Sequence, residues 1–147
     1  MTILETLPDH PDPDRQPEFY TGVSVKRLMA WFIDNIIIGL LLGLLTLTST
    51  VALVWPLAYV ILDFFYRVST MTMGSGTWGM RIVGMEFRNR RGERFNSGDA
   101  LVHTLAYSVC VAFPLLLIIN VFLIAFGAKG QAVHDYVVGS VAINATR

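Results

Sequence analysis

Two apolar runs separated by a short polar break open the folded part of the chain, and a third follows a basic stretch. From Leu28 the segment LMAWFIDNIIIGLLLGLLTL offers about twenty residues, close to the 30 Å a helix needs to cross hydrocarbon at 1.5 Å per residue. Thr46, Thr48, Ser49 and Thr50 interrupt it, and VALVWPLAYVILDFFY is apolar again as far as Arg67. Leu28 to Tyr66 is 39 residues, enough for two crossings joined by a tight turn. The pattern predicts a transmembrane helical hairpin with spans at about 28–47 and 50–66. Pro56 falls in the first turn of the second helix, where its missing N–H costs least. Phe64, Phe65 and Tyr66 suit an aromatic belt at the interface.

Residues 67–98 form a basic loop in which MRIVGMEF reads as a short strand and RNRRGERF, with Gly92, as a polar turn. Ser97 or Asp99 is placed to cap the next helix, and the apolar segment 99–126 contains Pro114 near its middle. As one helix that segment would be about 42 Å long and cross once; broken at Pro114, each half is too short to cross. A plain third span and a re-entrant pair both fit. The tail, 127–147, carries a β-branched run around Val137 to Ile143 that reads as a second short strand, with Gly139 as a bulge. Residues 1–20 hold four prolines among acids and predict a disordered extended arm. The fold class is therefore an all-α integral membrane protein with short surface strands.

Composition strengthens this reading. Only 15% of residues are charged, 54% are hydrophobic and mean hydropathy is +0.56, far from the roughly 25% charged residues of soluble domains. The net charge of +0 conceals a segregation, since all 11 Lys and Arg residues avoid 28–66 and 95–128. Arg67, Arg81, Arg88, Arg90, Arg91 and Arg94 make the 67–98 loop cytoplasmic by the positive-inside rule. A two-span hairpin places the N-terminus on the same side, and Lys26 and Arg27 agree with that. The basic cluster beside a membrane reads as a topology signal or anionic-lipid contact, not as a nucleic-acid surface. Cys110, the single cysteine, reads as a small buried hydrophobe.

Some polar positions are costly. Asp34 lies inside the first span, where an ionisable group costs about 2.5–3.5 kcal/mol at the helix centre unless it has a partner. Arg27 lies two turns earlier on the same face, about 10.5 Å away along the axis, so both can reach a third group between them. One reading is an ion, proton or substrate relay. The other is a buried clamp with Asn35, Asn120 or another subunit. Asp63 and Arg67, at i and i+4, read as a local pair, and His103 and Tyr107 share a face of the third apolar segment. GSGTWG lacks the lysine of a phosphate-binding loop. The histidines and cysteine lack zinc-ligand spacing, and no nucleophile, histidine and acid are placed for catalysis. Neither a cofactor, a metal nor an enzyme activity is expected.

Three separated motifs give the chain a resemblance to the RDD family of small membrane proteins, named for one arginine and two aspartates. VKRLMAWFIDNII resembles the family's first helix, with Arg27 as the arginine and Asp34 as the first aspartate. GSGTWGMRIVGMEF is similar to its loop motif through Gly76, Thr77, Gly79, Arg81 and Gly84. QAVHDYVVGSVAI resembles its ending and places the second aspartate at Asp135 beside His134, although the stretch before it is less basic than usual and Ser140 stands where Thr is common. The resemblance spans about residues 21–143. It implies a transport-related role, with sodium/proton antiport attributed to some members, and a polar cluster of Arg27, Asp34 and Asp135. Such a cluster requires the tail to return to the cytoplasmic side. The expectation is a multi-pass plasma-membrane protein handling cations or protons, or else an accessory subunit of a larger membrane complex. A chain this small is expected to act as a homo-oligomer or with partners.

Overall fold

The computed structural model describes residues 9–46 and 54–146. In chain order these form a 3-10 turn at Pro17–Phe19, α1 (Val23–Thr46), α2 (Trp55–Gly74), α3 (Trp78–Ile82), β1 (Met85–Arg88), α4 (Ser97–Ala112), α5 (Pro114–Phe126), α6 (Val133–Val138) and β2 (Val141–Asn144). Most of the polar break expected between the first two helices, and the first residues of the second span, lie outside the described residues, as do residues 1–8.

Among the described residues α1 is the one helix long and apolar enough by itself to cross a membrane. Only 22% of its most apolar window is buried, unlike a helix in the core of a soluble protein. Leu28, Phe32, Ile36, Leu40 and Leu44 all face outward. The outward faces of α4 and α5 are equally apolar, through Val109, Phe113, Leu117, Val121 and Phe122. These two helices meet the test only together, bent by 114° between Ala112 and Pro114. Proline restricts the residue before it to extended backbone, and Phe113 obliges with φ −111° and ψ 110°. A bend past a right angle sends α5 back: Ser24 Oγ, in the first turn of α1, donates to the Ile124 carbonyl at 2.5 Å.

Several boundaries differ from the sequence reading. The helix expected to stop at Tyr66 runs on to Gly74, because Arg67 folds back onto Asp63 and Thr70 returns its hydroxyl to the Tyr66 carbonyl. Pro56 does sit in the first turn of α2. The expected strand MRIVGMEF is split. Met80 to Ile82 belong to α3, whose N-cap Thr77 accepts from the Met80 N–H at 3.2 Å. Gly84 (φ +74°) turns the chain, and only Met85–Arg88 is extended. Asn96, neither Ser97 nor Asp99, is the N-cap of α4, with Asp99 returning the bond to the Asn96 N–H. In the tail, Val133–Val138 is helical, and Gly139 (φ +74°) is its left-handed cap, not a bulge.

β1 pairs with β2 antiparallel, Met85 opposite Asn144 and Arg88 opposite Val141. The tail thus completes a sheet begun in the basic loop. Ser75, left-handed at the end of α2, fastens that sheet to the helices: its hydroxyl donates to the Phe87 carbonyl at 2.5 Å and accepts from the Phe95 N–H at 2.8 Å. Below the apolar helices lies a core of Val23, Ala30, Met71, Met80, Met85, Phe87, Phe95, Ala100 and Ala142. Residues 9–20, expected to be disordered, pack on the loop. The Asp9 N–H donates to the Arg90 carbonyl, His10 Nε2 to the Asn89 carbonyl, and Tyr20 to the Pro11 carbonyl.

Candidate functional site

The structure divides the expected cluster of Arg27, Asp34 and Asp135 in two. Asp34, buried on α1, meets the loop motif. Its Oδ1 accepts from the Gly79 N–H at 2.8 Å and from the Tyr66 hydroxyl at 2.6 Å, and its Oδ2 accepts from the Thr77 hydroxyl at 2.6 Å. The Thr77 hydroxyl can both cap α3 and hold the carboxylate because it donates one bond and accepts another. Gly79 is required for closeness, since a Cβ there would lie 2.3 Å from the Ala30 carbonyl oxygen and 2.8 Å from Asp34 Oδ1. Arg81 points elsewhere, bonding the Gly76 carbonyl at 3.1 Å and the Thr70 carbonyl. The clamp expected around Asp34 is present with different partners. Asn35 bonds Tyr59 and the Trp31 carbonyl, and Asn120 accepts from the Val133 N–H.

Asp135, fully buried on α6, gathers the charged groups. Arg27 Nη1 approaches its Oδ2 to 2.7 Å as an ion pair without the alignment of a hydrogen bond, and the guanidinium lies over the Phe87 ring. The same oxygen accepts from the Ala132 N–H at 2.9 Å, capping α6. Its Oδ1 accepts from His103 Nε2 at 2.8 Å and, at 3.3 Å, from Ser140. His134 Nε2 stands 3.7 Å away. Both histidines keep a buried Nδ1 without a hydrogen-bond partner among the described residues. His103 is enclosed by Phe87, Phe95 and His134. Burial opposes charge on Asp135, but Arg27 and the two imidazoles outweigh it and hold the carboxyl below its usual range. Burial pushes His134 down to about 3, against the pull of Asp135, so its ring is neutral at physiological pH.

From this centre a line of polar side chains continues between the helices. The Tyr107 ring meets His134 edge-on, the Arg67 guanidinium lies 4.1 Å from the Tyr107 ring centre, and Arg67 Nε bonds Asp63 Oδ1 at 2.9 Å. The expected Asp63–Arg67 pair is thus part of a longer arrangement. His103 was legible only as a polar residue in an apolar run; its partner lies 32 positions away. Sequence spacing holds no metal signature, yet folding brings donor atoms of His103, His134 and Asp135 within 4.8 Å of one another. Arg27 already holds one oxygen of that carboxylate, so a divalent ion would meet a fixed positive charge.

A mostly helical fold with a lipid-compatible outer face and a buried arginine–aspartate pair at its base defines a membrane protein. The model of the RDD family matches residues 21–139, and the chain belongs to that family. No curated protein and no solved structure matches it.

Proposed function

We propose that the protein is a multi-pass plasma-membrane protein that handles protons or monovalent cations through the Asp135 centre, without catalysing a chemical reaction. The observation that carries this reading is the unbroken line Asp135, His103, His134, Tyr107, Arg67, Asp63, in which neighbouring side chains touch from α6 through α4 into α2. Ionisable groups buried together in a protein interior are costly and cluster at functional sites. In this topology α1 and α2 cross as a hairpin and α4–α5 enters and returns, turning back at the exposed Phe113–Pro114 step. The pairing of β1 with β2 supports this, because the loop and the tail must then share one side of the membrane. The arginines of the loop and Lys26 and Arg27 make that side, with the N-terminus, cytoplasmic. So short a pathway calls for a homo-oligomer or a larger complex to complete it.

The test is flux in proteoliposomes carrying a pH-sensitive dye, with sodium, potassium or lithium gradients imposed. The expected result is gradient-driven proton or cation movement that Asp135→Asn abolishes. Wild-type flux at the level of empty liposomes would refute the reading.

A second reading, an accessory subunit, is favoured by the saturation of Asp34, whose carboxylate is closed by three donors. Purification in mild detergent separates the two. A stoichiometric membrane partner supports the subunit, and a homo-oligomer alone excludes it.

A further inference from the structure

A recess of about 430 Å³ lies where the arm of residues 9–16 crosses the tail. His10, Arg90, Lys129, Gln131, Tyr136 and Gly139 line it, so that two cations face one space and no carboxylate lines it among the described residues. Among the described residues neither Arg90 nor Lys129 has an acidic partner within 4 Å, although the neighbouring loop pairs Arg88 and Arg94 with Glu86. Two unneutralised cations close together repel each other, and the fold holds them there by specific means. Arg90 is pinned by its backbone, which accepts from the Asp9 N–H. Its guanidinium uses the space a side chain would need at Gly139, where a Cβ would lie 2.6 Å from Arg90 Nε.

His10 supplies the second indication. Its Nε2 donates to the Asn89 carbonyl at 2.9 Å, while its buried Nδ1 has no hydrogen-bond partner among the described residues. Burial, with the nearby charge of Lys129, holds the ring's proton affinity down against the Asn89 carbonyl and the Asp9 carboxylate, which pull it up. We propose that this recess binds a phosphate group, with the Arg90 fork and the Lys129 ammonium on its oxygens and His10 Nδ1 sharing a proton with one of them. The phosphate can belong to an anionic phospholipid or to a small soluble molecule. The surroundings accommodate a lipid: Phe126, at the end of α5, and Val137, beside Tyr136, are 76% and 70% exposed. Acyl chains could run up that face while the headgroup occupies the recess.

The experiment uses the full chain in two arms. Native mass spectrometry from mild detergent measures retention of added phosphatidylglycerol against phosphatidylcholine, and phosphorus NMR measures binding of inorganic phosphate in phosphatidylcholine nanodiscs. Arg90→Gln with Lys129→Gln is compared with the charge-matched control Arg15→Gln with Arg91→Gln, after both are shown to melt like the wild type. Each cation is expected to contribute about fivefold, so the site variant binds about twenty-five-fold more weakly while the control keeps its affinity. Loss confined to the lipid arm assigns a phospholipid headgroup, and loss of inorganic phosphate binding assigns a soluble source. Equal loss in the site and control variants, or no binding in either arm, overturns the proposal.

Discussion

The two buried aspartates are compensated in opposite ways. Asp34 is closed by neutral donors, two hydroxyls and one backbone N–H, drawn from α2 and the loop motif. Asp135 is balanced by a full charge from Arg27, with two imidazoles beside it whose Nδ1 atoms have no hydrogen-bond partner among the described residues. The first arrangement fixes α3 against α1 and leaves its carboxylate little to exchange. The second joins α6 to α1 and α4 around a full charge pair and two buried imidazoles. The residues that name the family thus serve two tasks, one a clamp and one a centre of charge.

Breaking the charged side should cost most. Arg27→Met leaves Asp135 buried and uncompensated, with an expected loss of about 3–5 kcal/mol in detergent unfolding. At the neutral site Asp34→Asn keeps the shape but removes charge-assisted bonds, for an expected loss of about 2–3 kcal/mol. A larger loss from Asp34→Asn than from Arg27→Met would reverse the comparison.

Acid should sharpen it. His134 is held near 3, mainly by burial, while the unfolded imidazole titrates near 6.5. Between those values the unfolded chain binds a proton that the folded chain does not, so stability falls as pH falls through that window. The expected loss from pH 7 to 5 is about 2 kcal/mol, read as a drop in melting temperature, and His134→Gln should flatten it. Asp135 is also depressed, so its contribution is present above the ordinary 3.8 and is lost only at lower pH. The two windows therefore separate.

Much of this was legible in the sequence. Hydropathy located α1, and Pro114 marked where the third apolar segment bends if it does, since proline constrains Phe113 directly, but a plain third span fitted the sequence as well. The Arg27–Asp135 pair came through resemblance alone, since no local spacing connects residues so far apart. Asp34's partners were hidden for the same reason: Tyr66 read as part of an aromatic belt and Thr77 as part of the loop motif. Helix α6 was obscured by Val133, Val137 and Val138, which favour strands; the Asp135 cap on the Ala132 N–H and the left-handed Gly139 override that preference. Separate strands were legible as apolar and β-branched runs, but their pairing needed the return of α5.

The division between the two aspartates is tested most directly by paired double-mutant cycles on unfolding free energy, using Arg27→Gln with Asp135→Asn and Arg27→Gln with Asp34→Asn. The account predicts a coupling of about 2 kcal/mol or more in the first cycle and additivity within about 0.5 kcal/mol in the second. Strong coupling of Arg27 to Asp34, with additivity toward Asp135, would contradict it.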